Sequence, residues 1–160
     1  MMAVAAAAEH GGNVTLLEKM PRVGRKMMIT GKGRCNVTSA DDVPEIIKNV
    51  VGNGRFLNSC IRAFDNGVVI NFFEKLGVPL KTERGNRVFP QSDHAVDVVD
   101  AMLHHLRDCG AEIRTNTAVR KLILEDGSVH GVCLSDGSCL AADAVILATG
   151  GASYPATGST

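Results

Sequence analysis

At 160 residues, with 45% hydrophobic and 21% charged side chains, the chain is long enough for one domain with its own core, and its composition excludes disordered and collagen-like segments. Its 17 Lys and Arg balance its 17 Asp and Glu, so no net field steers it toward nucleic acid or a membrane surface. The cysteines at 35, 60, 109, 133 and 139 form no CxxC pair, and an odd count fits reduced thiols in a cytoplasm better than a disulfide framework. No metal site is expected, because the adjacent His104 and His105 point to different parts of a helix surface.

Met1 to His10 is predicted helical: it is rich in Ala, and Gly11-Gly12 offers a stop. No capping residue precedes it, so the chain enters in mid-element. The same run lacks the basic start of a secretory signal, and no stretch is long and apolar enough to span a bilayer. Val14 to Leu17 reads as a short buried strand ending on Glu18. Residues 21–36 read as a loop rich in Gly and positive charge. A helix is predicted at Val43–Val51 behind Asp41 or Asp42, and two more at Phe56–Phe64 and Val68–Leu76, broken by Asp65-Asn66-Gly67. Arg84 to Pro90 reads as a tight turn and short strand. Asp93 then caps a helix in which Val96, Val99, Leu103 and Leu106 recur at helical spacing, ended by Gly110.

From Glu112 the period changes to that of strands. Glu112–Thr115, Ala118–Leu124, Val129–Leu134 and a segment near Cys139–Ala141 follow, with Asp126-Gly127 and Asp136-Gly137 as type I′ hairpin signals. The last three form a three-stranded meander. Ala144–Leu147 is a final apolar strand running into Ala148-Thr149-Gly150-Gly151, and a parallel sheet of Val14–Leu17, Glu112–Thr115 and Ala144–Leu147 is expected.

Three constellations carry chemistry. A helix, a strand and then an acid, Glu18, is the arrangement that holds ribose hydroxyls about 20 residues after a glycine loop; here that loop would fall at or before Met1. An ordinary strand ending in a solvated Glu is the plainer alternative. Arg22 to Asn36 gathers cations and glycines in one segment, which suits an anion such as a cofactor pyrophosphate. It is not a Walker A loop, since Gly31-Lys32 is followed by Gly33. A solvated basic loop or a nucleic-acid patch are its alternatives, the latter lacking interleaved aromatic residues. Third, the meander followed by Val-Ile-Leu-Ala-Thr-Gly-Gly places a glycine turn where backbone can approach a ligand; an antiparallel appendage is the alternative. Cations near Cys35 could lower its thiol pKa, although packing is the plainer role. Tyr154 is a candidate for stacking or packing. No catalytic acid or base is identifiable.

Together these motifs resemble the YhiN/BaiN-like flavoproteins, also called the aminoacetone oxidase family of FAD-binding enzymes. The resemblance covers essentially the whole chain. Its most specific segments are Thr30-Gly-Lys-Gly-Arg-Cys-Asn36 and Ala148-Thr-Gly-Gly-Ala-Ser-Tyr-Pro155, supported by Leu-Leu-Glu18, Phe72 to Leu80 and Gly85 to Pro90. It implies an α/β fold: an FAD/NAD(P)-binding Rossmann-type domain of the glutathione-reductase-like group with a three-stranded meander. Residues 1–160 would be part of that domain, with a helical segment at about 41–83. The first strand and glycine loop, a substrate-side insertion and the last FAD-binding segment would be missing.

The resemblance further implies FAD as cofactor and NAD(P)H as a possible co-substrate. The activity would be hydride transfer between flavin and a small organic substrate, with NAD(P)H or oxygen as redox partner. By resemblance Glu18 holds the adenosine ribose. Gly24, Lys26, Thr30, Gly31, Gly33, Arg34, Cys35 and Asn36 line the path from pyrophosphate to flavin. Val119 meets adenine through its backbone, and Thr149, Gly150 and Gly151 approach the cofactor from the last strand. A cytoplasmic enzyme acting on a small molecule, without nucleic acid or membrane, is expected. Alternatives are an RNA-associated flavoprotein-like enzyme and an inactive fragment. With the glycine loop absent, residues 1–160 alone are expected to bind FAD poorly.

Overall fold

The structure, a computed structural model, describes residues 1–151 and 153–157. The chain divides into two compact units, Met1–Lys26 with Leu103–Thr160, and Met27–Met102.

In the first unit, α1 (Met2–Glu9) buries Ala5 and stops as its composition dictates. Gly11 takes a left-handed φ of +83, and the amides of Gly11 and Gly12 return to the Ala8 and Ala7 carbonyls at 2.9 and 3.0 Å. Strand β1 (Thr15–Leu17) pairs in parallel with a strand from the far end of the unit, Glu112–Arg114, with Leu16 opposite Ile113. The pairing continues beyond both strands: the Glu18 amide donates to the Arg114 carbonyl, and the Thr117 amide donates to the Glu18 carbonyl, both at 2.9 Å.

The meander forms as expected from three antiparallel strands, Val119–Glu125, Ser128–Leu134 and Cys139–Ala141. Asp126 and Gly127 both have positive φ, +49 and +77, as a type I′ turn requires. The second Asp-Gly is different. Only Gly137 has positive φ there; the Leu134 amide donates to the Ser138 carbonyl, and Asp136 Oδ1 accepts from the Ser138 amide and hydroxyl. The Asp side chain organises this turn, leaving Gly137 alone to supply the left-handed residue.

Two further expectations fail in this unit. Cys133 and Cys139 are directly opposed across the last hairpin, with Cα atoms 4.1 Å apart, and form a disulfide. Their register, which cysteine spacing alone does not disclose, overrides the inference of five reduced thiols; Cys35, Cys60 and Cys109 are free. Residues 144–147 are not a strand, so the parallel sheet has two strands rather than three. Ile146 and Leu147 are exposed, and no ladder forms on this run among the described residues. An apolar sequence becomes a strand only where a neighbour offers its backbone edge.

The second unit begins inside the basic segment, which is not simply a loop. Residues Arg25–Ile29 form a helical turn, α2, and Thr30–Gly33 a tight 3-10-like turn with Gly31 and Lys32 in the left-handed region. Arg, Lys and Met are good helix formers, and the glycines confine that preference to one turn. Downstream, α3 (Val43–Lys48) is capped by Asp42, whose side chain accepts from the Glu45 amide at 2.9 Å. The predicted Phe56–Phe64 helix is a 3-10 turn, Gly54–Leu57, leading into α4 (Asn58–Ala63). Helix α5 (Asn66–Lys75) is capped by Asp65, which accepts from the Val68 amide at 2.8 Å.

A three-stranded antiparallel sheet then appears: β2 (Thr38–Ser39) and β3 (Leu80–Glu83) flank β4 (Arg87–Pro90). Only β4 was legible, because the other two are short or mainly polar. With β2, β3 and β4 assigned, the parallel partner of β1 is β5 and the meander strands are β6, β7 and β8.

The final helix, α6, runs Ala95–Asp108. Its fully buried positions are Ala95, Val98, Val99, Met102 and Leu106, so the core stripe is centred about one residue away from the Val96, Val99, Leu103, Leu106 pattern. Val88, Phe89 and Pro90 of β4 are buried as well. Each of these Val, Leu, Met and Phe side chains contributes roughly 1.5–3 kcal/mol on burial. Asp93 does not act as an N-cap: it sits at φ +59 with its carboxylate held by Lys81 and Arg34.

Candidate cofactor site

Seven of the candidate residues, Glu18, Gly24, Lys26, Val119, Thr149, Gly150 and Gly151, belong to the first unit. Glu18 leaves the C-terminal end of β1, where one carboxylate oxygen accepts from the Met20 amide at 2.9 Å. Burial pushes the Met1 α-amino group below its usual pKa, while the Glu18 carboxylate opposes that shift. The bond from the Thr117 amide to the Glu18 carbonyl draws in the residues entering β6, placing Val119 two residues from that contact. The acid and the approach to the opening strand of the meander thus meet at the C-terminal end of β1, the end at which ligands sit in open α/β sheets.

Lys26 makes a second convergence. Its Nζ donates to the Ser153 carbonyl at 3.1 Å and the Ser153 hydroxyl at 3.0 Å, and lies 4.5 Å from the centroid of the Tyr154 ring. The basic segment is thereby tied to the loop that follows Thr149-Gly150-Gly151. Gly150 has φ +80, and a Cβ built on Gly151 meets nothing within 4 Å, so its backbone is open to close approach. Gly24 is left-handed at φ +74, where it turns the chain into α2.

The other six, Thr30, Gly31, Gly33, Arg34, Cys35 and Asn36, belong to the second unit, where several serve its internal structure. The Thr30 hydroxyl donates to the Met27 carbonyl. A Cβ on Gly31 would stand 2.6 Å from Phe89 Cε1, so the glycine admits the ring. Arg34 stacks over the same ring, 4.0 Å from its centroid, and donates to Glu83 at 3.0 Å and Asp93 at 3.2 Å. Those partners raise its pKa, the Glu83 hydrogen bond most of all, and the guanidinium charge is offset locally. Cys35 is buried, and burial raises its thiol pKa, against the lowering that neighbouring cations suggested. The Asn36 side chain faces the Thr38 and Val88 carbonyls at 3.0 and 3.2 Å, which its amide nitrogen satisfies as donor. Sequence reasoning missed the Arg34 partners Glu83 and Asp93, which Lys81 shares and which lie far along the chain.

A helix leading into a parallel strand pair, an acid at the end of the first strand, and a meander whose approach is hydrogen-bonded to that acid's backbone define a Rossmann-type α/β domain of the kind found in FAD-binding oxidoreductases. The whole chain, residues 1–160, matches the family described as HI0933-like protein Rossmann domain, and it belongs to that family. It is 34% identical over 167 residues to the 3-dehydro-bile acid delta(4,6)-reductase of Clostridium scindens, covering 98% of this chain and 37% of that protein. It is 25% identical to ribosomal RNA dihydrouridine synthases of Haemophilus influenzae and Escherichia coli, covering 100% and 99% of this chain and 40% and 38% of theirs. The chain thus spans about two fifths of the length of these relatives. The crystal structure of Thermovibrio ammonificans THI4 shares the fold, with a TM-score of 0.54 and 14% identity over 83% of this chain and 42% of that one.

Proposed function

We propose that the protein carrying this domain is an FAD-dependent oxidoreductase that adds hydrogen across a carbon–carbon double bond conjugated to a carbonyl in a small organic substrate, with NAD(P)H as electron donor. The observation that carries the flavin assignment is the Glu18 carboxylate at the C-terminal end of β1, where the residues entering the meander also arrive.

The donor set fits a dinucleotide. A carboxylate accepts from ribose hydroxyls, Lys26, held beside the loop after Gly151, would offset diphosphate charge, and the open backbone at Gly151 would admit close approach. Val119 would meet the adenine through its backbone. When bound, FAD supplies the hydride chemistry; the chain's residues hold and orient it. The reaction class is supported by the relatives' names: a delta(4,6)-reductase of a 3-dehydro bile acid and a dihydrouridine synthase both denote saturation of a double bond conjugated to a carbonyl. No helix among the described residues is long and apolar enough to cross a membrane.

A second reading, action on the uracil ring within RNA, draws on the two ribosomal RNA dihydrouridine synthases, which match the chain along essentially all of it. The two readings separate in one experiment. The FAD-loaded protein is given NADPH or NADH without oxygen, together with a steroid 4-en-3-one or with unmodified ribosomal RNA, and products are weighed by mass spectrometry. Gain of two hydrogens by the enone alone supports the first reading, and gain by the RNA alone supports the second. Saturation of neither, with flavin bound and reducible, overturns both.

A further inference from the structure

Away from the residues that face Glu18, the first unit brings together three side chains of mixed chemistry. Glu9 lies at the C-terminal end of α1. His105 and Cys109 are one helical turn apart at the end of α6, so they share a face. His105 Nε2 is 2.9 Å from Glu9 Oε1, and Cys109 Sγ is 3.9 Å from both ring nitrogens of His105. One ligand atom from each residue can be chosen so that all lie within 4.8 Å of one another. The backbone fixes the position of the thiol: the Cys109 amide donates to the His105 carbonyl at 3.0 Å, and Gly110, at φ +76, ends the helix immediately afterwards.

We propose that Glu9, His105 and Cys109 form a binding site for a divalent transition-metal ion of the zinc class. Thiolate, imidazole and carboxylate are the three protein ligand types that zinc accepts, and two ligands at i and i+4 on a helix is a common way to present them. The spacing fits as well. With bonds of roughly 2.0 Å to N and O and 2.3 Å to S, tetrahedral ligands stand about 3.3 Å apart for N and O and about 3.5 Å for S and N. From Nε2 the observed 2.9 Å to Glu9 and 3.9 Å to Cys109 lie within a few tenths of an ångström of those separations, and because Sγ is equally far from Nδ1 the Cys109 side chain must rotate toward Nε2 to complete the set. Glu9 is 46% exposed on a flexible side chain and can close the remaining distance to the sulfur, whereas His105 is only 17% exposed and already oriented. Three protein ligands leave a fourth position for water. Binding would cross-link the end of α1 to the end of α6 and release protons from the thiol and any imidazolium.

The plain alternative is an ion pair between Glu9 and His105 with Cys109 merely packed beside it. Cobalt(II) distinguishes them, because a thiolate ligand produces a charge-transfer band in the near ultraviolet. The chain is titrated with Co²⁺ without reductant, so that the Cys133–Cys139 disulfide stays closed, and is then titrated with Zn²⁺. The expected result is one Co²⁺ per chain with a thiolate band that one equivalent of Zn²⁺ removes. Cys109→Ser should abolish the band, His105→Gln should weaken binding at least tenfold, Glu9→Gln should weaken it by less, and Cys60→Ser should leave it unchanged. Zn²⁺ should also raise the melting temperature of the parent chain and not that of Cys109→Ser. Circular dichroism verifies that the variants are folded, and the Glu9 and His105 variants keep the test open if Cys109→Ser does not fold. No band in the parent, a band that survives Cys109→Ser, or one that vanishes with Cys60→Ser overturns the site.

Discussion

Gly31 and Asp93 show how differently single residues carry this structure. Gly31 combines a left-handed φ of +57 with a ring pressed where its Cβ would be. Gly31→Ala should therefore cost about 2 kcal/mol or more, from the conformational term and the displacement of Phe89 together. Gly33→Ala should cost less, since its nearest neighbour, the Met28 carbonyl oxygen, is 3.9 Å away. Urea denaturation of the two variants gives the comparison, and equal losses would contradict it. Asp93 acts through charge. Its hydrogen bond to Lys81, reinforced by Arg34, lowers its pKa. A lowered carboxylate pKa contributes stability above the unfolded value, and that contribution is lost as pH falls through the folded value. Asp93→Asn should thus flatten the fall in melting temperature below about pH 4 and lower stability at neutral pH. Measured melting temperatures across the acid range check the sign.

At the scale of elements, capping chemistry made one helix start legible: Asp42 caps α3 as the sequence suggested, whereas Asp65, read only as part of a break, caps α5, and Asp93, read as a cap, serves an ion-pair cluster instead. Asp65→Ala should destabilise the protein by about 1 kcal/mol, read from chemical unfolding; no loss would show that α5 is held by its packing alone. Elements whose signal is not local were illegible. Strands β2 and β3 form because β4 offers two edges, and α2 is a single turn hidden among glycines and charges. The disulfide belongs to this scale too, because it depends on the register of β7 against β8. Closing so short a loop stabilises by about 2 kcal/mol in the chain-entropy account. Reduction should lower the melting temperature of the parent, and the double variant Cys133→Ser, Cys139→Ser should start low and be indifferent to reductant.

For the molecule as a whole, the fold class was readable because helix, strand, acid and meander each have a sequence signal with a physical cause. The candidate site was readable in part. Glu18 and Lys26 stand at points of convergence and Cys35 takes its plainer, buried role, yet the charge of Arg34 goes to Glu83 and Asp93, which residue type and loop composition do not disclose. The apolar run 144–147 shows the limit of hydrophobicity as a guide, since a ladder needs a partner as well as a pattern.

The central claim is that Glu18 holds the adenosine half of FAD, and the most direct test compares FAD with FMN, which has no adenosine. Dissociation constants for both are measured by flavin fluorescence with the protein carrying this domain, rather than residues 1–160 alone, and with its Glu18→Ala variant. The account predicts a preference for FAD in the parent protein and a loss of FAD affinity of about tenfold to a hundredfold in the variant, the range for a hydrogen bond to a charged group, with FMN affinity unchanged. FAD bound as tightly by Glu18→Ala as by the parent would contradict it.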